Sequence, residues 1–377
     1  MHGDRFDQEV ADSYFGRVAE PLPKDPAVRS VVVTHLLADR QPFLDGVSRV
    51  SPIALLLPKP KSLDPGAKAR LDPKIRVEEL RRSALHEEGF AAKLIADCGG
   101  GPFVVLDVGG YFAPLLYELH GTFGNEFVGV VEDTENGLQK YEALGDWPVP
   151  VVSVARSPLK NAEDYLVGQS IVFSVEAILR ERSAIFQGRR ATVIGYGKVG
   201  RSIASLLFSR GVSTRVYDVD PIRMTEAMSH GFEVPATLED ALDLADLVLC
   251  ATGNLSLTGD DFRLIRRGAY IATVTSSDDE LDLHALRASY HEEPLSNHFT
   301  RFSSQDHYFY LLNKGNAVNF LHGAAVGPFI NLVQGEIIVA VREICGARFG
   351  PGLGELGQGD RRSIAKVWLD HYGSWVR

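Results

Sequence analysis

Cysteine is scarce in this sequence, which contains only Cys98, Cys250 and Cys345 among 377 residues. The three lie far apart, and none belongs to a Cys-x-x-Cys pair. This spacing argues against a disulfide framework and against a structural zinc site, and it is typical of a reducing compartment. The sequence therefore predicts no metal centre.

Long apolar runs and an excess of positive charge are also missing. No uninterrupted apolar run approaches the roughly 20 residues of a membrane span, and the first residues, MHGDRFDQEV, lack the apolar core of a signal peptide. The net charge of -10 argues against a surface that binds nucleic acid or anionic lipid. We therefore expect a soluble, cytoplasmic protein whose partner is a small molecule.

Strand patterns alternate with helical patterns along the chain, which favours an α/β fold with parallel sheets. Apolar strand patterns occupy 30–40, 52–60, 103–112 and 126–134, with helical spacing over 71–99. A long helical segment over 163–186 then leads into a second series of strands: ATVIGYG, STRVYDVD, DLVLCATG and AYIATVT. The sequence thus predicts two wound, Rossmann-like domains.

The second series opens with VIGYGKVG (193–200), in which three glycines match G-x-G-x-x-G. The first glycine allows a tight turn, the second lets the backbone approach a pyrophosphate, and the third lets helix and strand pack closely. The helix that follows directs its positive end at the phosphates. The predicted cofactor-binding residues of this stretch are Gly195, Gly197, Lys198, Val199 and Gly200.

Two further features of this domain indicate which dinucleotide is bound. The next strand ends at Asp218, where a carboxylate accepts hydrogen bonds from the ribose hydroxyls and repels a 2′-phosphate, so NAD is favoured over NADP. The small-residue turn at Thr252, Gly253 and Asn254 lets the cofactor pass close to the backbone.

The whole segment resembles the cofactor domain of S-adenosylhomocysteine hydrolases. The pieces GYGxVG, DPI, GxEV, TG and a DxELD-like run occur in that family's order and spacing. The resemblance continues in VEDTENG (131–137), RSPLKNAEDYLVGQS (156–170), FYLLNKGNAVNF and the DHY of the last residues.

The resemblance implies a substrate domain over 1–155, completed by about 327–350, and an NAD-binding domain over 166–326. It implies that a tail over 351–377 reaches a neighbouring subunit of a homodimer or homotetramer. In that family NAD⁺ oxidises the ribose 3′-hydroxyl, elimination and hydration follow at C5′, and the hydride is finally returned.

The site residues that the resemblance implies divide into catalytic residues and cofactor-binding residues. A lysine can take the alcohol proton during oxidation, and a carboxylate four residues away can orient it. The catalytic residues that the resemblance implies are Lys160, Asp164, His35, Asp107 and Asp133, the last in place of the family's glutamate. The further cofactor-binding residues that it implies are Thr134, Asn319 and Tyr372.

Other positions depart from the family's pattern around adenine and C5′. They are Leu37, Val108, Ala155 and Tyr165. Replacing a catalytic aspartate by Val108 removes an acid–base group that the hydrolytic steps need. We therefore expect NAD-dependent oxidation of a secondary hydroxyl on a nucleoside or sugar-like substrate, but not hydrolysis of S-adenosylhomocysteine.

Three possibilities remain open on the sequence alone. The oxidation can be transient, driving elimination, hydration or epimerisation. It can instead be net, as in a 2-hydroxyacid-type dehydrogenase, although no catalytic Arg, Glu and His set follows the cofactor domain. The third possibility is a non-catalytic NAD-binding regulator, which the lost site residues favour and the retained Lys160 and Asp164 oppose.

Overall fold

A computed structural model describes residues 2–22, 27–85, 87–274, 280–318, 321 and 326–374. The chain forms two compact units. The first comprises Met1–Lys160 and Gly327–Arg377, and the second comprises Asn161–Val326. Each is built on a mainly parallel sheet with helices, so the predicted α/β class with two wound sheets is confirmed.

The first unit begins with thirteen of the described helices and strands, which alternate except at α4 and α5. They are α1 (His2–Ala19), β1 (Arg29–Leu36), α2 (Gln41–Val50), β2 (Ile53–Leu63), α3 (Pro65–Arg70), β3 (Arg76–Val77), α4 (Arg82–Leu85), α5 (Phe90–Ala96), β4 (Phe103–Asp107), α6 (Leu116–Phe123), β5 (Phe127–Glu132), α7 (Glu135–Glu142) and β6 (Pro150–Ser153).

Helix α8 then leads into the second unit. The elements there are α8 (Lys160–Arg180), β7 (Arg190–Ile194), α9 (Lys198–Ser209), β8 (Ser213–Tyr217), α10 (Pro221–Ser229), α11 (Leu238–Leu242), β9 (Leu247–Cys250), β10 (Tyr270–Thr273), α12 (Leu283–Ser289), β11 (His291–Pro294), β12 (Phe299–Ser304) and β13 (His307–Leu312). The chain returns to the first unit with α13 (Ile330–Cys345), β14 (Gly352–Gly354) and α14 (Gln358–Tyr372).

The sheet of the first unit is parallel throughout, in the order β14-β6-β5-β4-β1-β2-β3. All five residues of β4 are buried, as expected for a central strand with both faces covered. In a parallel sheet the carboxyl ends of the strands meet at one edge. His35, Asp107 and Glu132 therefore come to the same edge, with Asp107 directly opposite Glu132.

The predicted helix over 71–99 is wrong. The segment instead supplies the short strand β3, which pairs with β2 through Leu55 and Arg76, and the separate helices α4 and α5. Helix α5 starts after Gly89, whose φ of +72° stops a continuous helix at that point. The strand pairing is a tertiary contact, which overrides the local helical spacing.

The second unit has a sheet in the order β11-β12-β13-β10-β9-β7-β8. Strands β7 to β10 and β13 are parallel, whereas β11 and β12 are antiparallel additions. A parallel bridge between Arg215 and Glu233 extends the sheet beyond β8. The chain runs outward in both directions from β7, so a topological switch point lies between β7 and β9. This is where α/β sheets bind ligands.

The end of the chain packs on the first unit. Helix α14 contacts α1 and α13, with Ile364, Trp368 and Tyr372 buried. The Trp368 ring lies 5.0 Å from the Phe329 ring, and its indole nitrogen donates to the carbonyl of Pro328 at 2.9 Å.

Among the helices of the described residues, none has the length and apolar character needed to cross a membrane.

Candidate functional site

Lys160 and Asp133 form an ion pair at the carboxyl edge of the first sheet. The Lys160 Nζ donates to Asp133 Oδ1 at 2.7 Å, and the two side chains are 12% and 18% exposed. Asp133 directly follows β5, and Lys160 begins α8. The pair is therefore positioned by the end of a strand and the start of a helix. Both side chains remain partly exposed, so a small molecule can contact them.

His35 lies near the end of β1 in a positively charged setting. Its Nδ1 is 2.5 Å from Ser62 Oγ. Burial, together with the charges of Lys59, Arg40 and Lys160, holds the pKa of His35 well below its ordinary value. The imidazole is therefore neutral at pH 7, where it can both accept and donate a hydrogen bond.

Asp107, a predicted catalytic residue, is fully buried and engaged with its own chain. Its carboxylate accepts hydrogen bonds from the amides of Tyr111 at 3.1 Å and Phe112 at 2.8 Å, and from Tyr141 Oη at 2.9 Å. Burial raises the pKa of Asp107. These contacts hold the Gly-Gly turn that follows β4.

Glu132 is a second buried carboxylate at this edge, and sequence reasoning missed it. It accepts from the amides of Gly109 at 3.1 Å and Gly110 at 2.9 Å. Burial and the charge of Asp107 raise the pKa of Glu132 to about 8. A Cβ on Gly137 would overlap this carboxylate, so the glycine of VEDTENG is required for packing.

Thr134, predicted to contact the cofactor, serves a local role in the first unit. Its hydroxyl accepts from the Gly137 amide at 3.0 Å as the N-cap of α7. The same hydroxyl donates to Glu132 Oε1 at 2.8 Å.

In the second unit the glycine loop has the close packing that a phosphate cradle needs. Gly195 has φ of +96°, and a Cβ there would lie 2.6 Å from the Ala251 carbonyl oxygen. A Cβ on Gly200 would overlap the Gly195 carbonyl oxygen. Gly197 is the N-cap of α9, so the first amides of this helix are available to an anion.

Asp218 lies at the end of β8 with its carboxylate turned toward the glycine loop. Oδ2 accepts from the Tyr196 amide at 2.6 Å, and Oδ1 accepts from the Asp220 amide at 2.9 Å. Arg223 Nη1 is 3.5 Å from the same carboxylate. Because each oxygen has a second lone pair, the carboxylate can also accept from ribose hydroxyls.

Glu280 organises the turn that contains Thr252, Gly253 and Asn254. It is 1% exposed, and its Oε1 accepts from the Thr252 amide at 2.7 Å and from Ser256 Oγ at 3.1 Å. Sequence reasoning did not single out Glu280, although it lies in the DxELD-like run that supported the resemblance.

Lys198 and Val199 follow the second glycine on the first turn of α9. Lys198 Nζ is 3.7 Å from Asp164 Oδ2, and Asp164 is 13% exposed. Val199 packs against the apolar core of this unit. Asp164, which the resemblance implies as the partner of Lys160, is therefore also close to a lysine beside the glycine loop.

The comparisons agree with this geometry. Residues 165–326 match the family model described as the NAD binding domain of S-adenosyl-L-homocysteine hydrolase. The chain is an adenosylhomocysteinase-like NAD-binding protein. Its cofactor is NAD, and the glycine cradle, Asp218 and the turn held by Glu280 are the groups that would hold it.

Two curated relatives show how far the likeness extends. The adenosylhomocysteinase of Acinetobacter baylyi is 31% identical over 260 residues, which cover 62% of this chain and 55% of that protein. The adenosylhomocysteinase of Archaeoglobus fulgidus is 31% identical over 230 residues, which cover 58% of this chain and 55% of that protein. The chain thus spans about half the length of the curated relatives it matches.

Among solved structures, the comparison includes the phosphoglycerate oxidoreductase of Vibrio cholerae. It has a TM-score of 0.42 and 15% identity, and the match covers 69% of this chain and 79% of that one.

Two further cofactor residues, Asn319 and Tyr372, were predicted for this adenosylhomocysteinase-like protein. Asn319 falls outside the described residues. Tyr372 is buried in the first unit, where its hydroxyl accepts from Asn331 Nδ2 at 2.8 Å. Contact of Tyr372 with the cofactor of a neighbouring subunit stays a prediction.

Proposed function

We propose that the protein is an NAD-dependent enzyme that oxidises a secondary hydroxyl of a nucleoside or sugar-like molecule. The observation that carries the proposal is the Lys160–Asp133 pair at 2.7 Å, which lies on a sheet edge in a chain with an NAD-binding domain. NAD supplies the acceptor for the hydride that leaves the alcohol carbon.

The residues of the first unit have complementary roles in this reaction. As the neutral amine, having first released its own proton to solvent, Lys160 takes the hydroxyl proton as the carbon–hydrogen bond is broken. Asp133 stabilises the ammonium that results, because it lies at hydrogen-bond distance from Nζ. The neutral imidazole of His35 can hold a neighbouring hydroxyl of the substrate as donor or acceptor.

S-adenosylhomocysteine hydrolysis does not fit the residues beside this pair. Val108 is an apolar, buried side chain, and Asp107 already accepts three hydrogen bonds that fix the turn. Neither supplies a mobile acid–base group for elimination and hydration at C5′. We therefore propose a relative that uses the oxidation step on another substrate.

Absorbance in the near ultraviolet tests the proposal, because NADH absorbs there and NAD⁺ does not. Nucleosides and sugars are added to the protein with NAD⁺. A substrate should produce the band, and Lys160→Met should slow its appearance by roughly 100-fold or more, the size of a lost general base. Lys68→Met, which removes an exposed lysine of α3, is the matched control.

The outcomes separate the alternatives. A band that persists with stoichiometric product indicates net dehydrogenation, and a band that decays while NAD⁺ is regenerated indicates transient oxidation. If no nucleoside or sugar produces the band, and Lys160→Met behaves as wild type in every assay, the protein is a non-catalytic NAD-binding regulator and the proposal fails.

A further inference from the structure

Arg223 brings a positive charge to the acid at the end of β8. Its Nη1 lies 3.5 Å from Asp218 Oδ2, and its Nε lies 3.7 Å from Asp220 Oδ2. Arg223 belongs to the first turn of α10, and its side chain is 39% exposed. In a dinucleotide-binding domain the acid at this position binds the ribose of the adenosine half. Arg223 therefore lies beside the expected position of that ribose.

The guanidinium of Arg223 also faces the glycine loop. A Cβ on Gly197 would lie 3.8 Å from Arg223 Nη1. Gly197 is the second glycine of the motif, the one that lets the backbone approach the pyrophosphate. Arg223 thus borders the path of the cofactor between its phosphates and its adenosine ribose.

The charge of Asp218 is compensated within the protein. The side chain is 4% exposed, and its oxygens accept from the amides of Tyr196 at 2.6 Å and Asp220 at 2.9 Å. Arg223 adds a full positive charge to these two donors. An acid at this position repels a 2′-phosphate, whereas a nearby arginine accommodates one. With both present, the repulsion by Asp218 is offset.

Arg223 keeps hydrogen-bonding capacity for a further oxyanion. A guanidinium has five N–H donors in a planar fork. Its contacts with Asp218 and Asp220, at 3.5 Å and 3.7 Å, are longer than the roughly 2.7–3.2 Å of an N–H···O hydrogen bond. Asp220 is itself engaged as the N-cap of α10, where it accepts from the Ile222 amide at 2.9 Å. A phosphate can offer the guanidinium a shorter, bidentate contact.

We propose that Arg223 lets this NAD site also accept NADP, by binding the 2′-phosphate on the adenosine ribose. NAD stays the cofactor that Asp218 favours, and NADP is a second and weaker ligand of the same glycine cradle. The inference is independent of the proposed oxidation, because it concerns binding of the dinucleotide and not of the alcohol.

Titration calorimetry of the full chain, freed of bound nucleotide, tests the inference by binding alone. NAD⁺ is compared with NADP⁺, and adenosine 5′-monophosphate with adenosine 2′,5′-bisphosphate, which differs from it only in the 2′-phosphate. We expect the 2′-phosphate to weaken binding by less than about tenfold in both comparisons. Without a compensating cation, a phosphate beside a carboxylate should cost more than about 100-fold, because close like charges repel strongly.

Variants assign the tolerance to Arg223. Arg223→Gln should weaken NADP⁺ at least about tenfold more than it weakens NAD⁺, since only NADP has the 2′-phosphate. Arg223→Lys should retain part of the NADP affinity, because it keeps the charge but not the planar fork. Arg263→Gln is the matched control. Arg263 forms an ion pair with Asp260, three residues earlier, at 3.8 Å, and its loss should leave the ratio of the two affinities unchanged.

Definite results overturn the inference. One is a wild-type protein in which the 2′-phosphate weakens binding by more than about tenfold, the limit set above. Another is equal weakening of NAD⁺ and NADP⁺ in Arg223→Gln, since Arg223 then does not recognise the 2′-phosphate. Thermal unfolding that NAD⁺ raises shows that Arg223→Gln is folded. If that variant does not fold, the comparison of the two adenosine phosphates on wild type and on Arg223→Lys decides the question.

Discussion

At the scale of single residues, the charge state of His35 follows from its surroundings. Burial and three neighbouring cations disfavour an imidazolium. The residue is therefore a neutral hydrogen-bonding group in the folded chain, whereas it protonates near pH 6.5 once unfolded. The same difference makes folding sensitive to acid.

His35→Gln should reduce the loss of stability in acid. Because the folded pKa is depressed, the unfolded state binds the proton first, and the wild-type free energy of unfolding falls as pH drops below about 6.5, by up to about 1.4 kcal/mol per unit. Urea denaturation at pH 7.5 and 5.5 measures this. His284→Gln, on an exposed side chain, is the control, and equal pH dependence in His35→Gln and wild type would contradict the assignment.

Asp218→Asn should weaken NAD by roughly tenfold, since an amide replaces a charge-assisted acceptor of the ribose hydroxyls. Calorimetry with NAD measures the change. Asp220→Asn is the matched control two residues along, because asparagine also caps a helix such as α10. Unchanged NAD affinity in Asp218→Asn would remove this residue from the cofactor site.

Single residues show what the sequence can and cannot predict. The glycine loop and Asp218 follow from one local strand–turn–helix–strand segment, and the match to an NAD-binding domain confirms the cofactor. The resemblance implied that Asp164 orients Lys160, and the structure adds an ion pair between Lys160 and Asp133, which is 27 residues away along the chain. Pairing across a sheet depends on topology, which spacing along a helix does not contain.

At the scale of elements, the close packing of α9 against the end of β7 requires residues without side chains at the turn between them. The strand turns into the helix so closely that only glycine fits at Gly200. The tightness of this turn brings the helix amides to the carboxyl edge of the sheet.

Gly200→Ala should destabilise the second unit by about 1–3 kcal/mol, the usual cost of overpacking, and should weaken NAD because the turn must open. Urea denaturation and calorimetry with NAD measure both effects. Gly121→Ala in α6, where a Cβ meets nothing within 4 Å, should be neutral or slightly stabilising. A Gly200→Ala protein with wild-type stability and affinity would refute the close-packing argument.

Elements differ in how well a sequence predicts them. Strands β1, β2, β4 and β5 are apolar runs with turn residues at their ends, so all four were predicted. The short strands β3, β6 and β14 have two to four residues each. They form because a neighbouring strand pairs with them. Two to four residues are too few to show the alternation of apolar and polar residues that predicts a strand.

At the scale of the whole molecule, each unit has its own apolar core. One cluster of the first unit surrounds β1, β2, β4 and β5. Clusters of the second unit cover both faces of its sheet. Each unit thus buries enough surface to unfold as a cooperative body.

Calorimetric scanning should therefore show two thermal transitions, and NAD should raise only one of them. At about 100 times its Kd, a ligand adds roughly 2.7 kcal/mol to the unit that binds it. Gly200→Ala identifies that transition by lowering it. A single transition that NAD shifts as a whole would disprove independent unfolding.

The first unit is built from two separate segments of the chain, with the second unit between them. The ribosome therefore completes the second unit before the first. The ribosome delivers Asn161–Val326 complete before it reaches α13, β14 and α14. Because domains fold as units while the chain emerges, the cofactor-binding unit can mature first. The lysine- and histidine-bearing sheet stays unfinished until α13 packs against its strands. A nascent chain can therefore capture its dinucleotide before the proposed substrate site is complete.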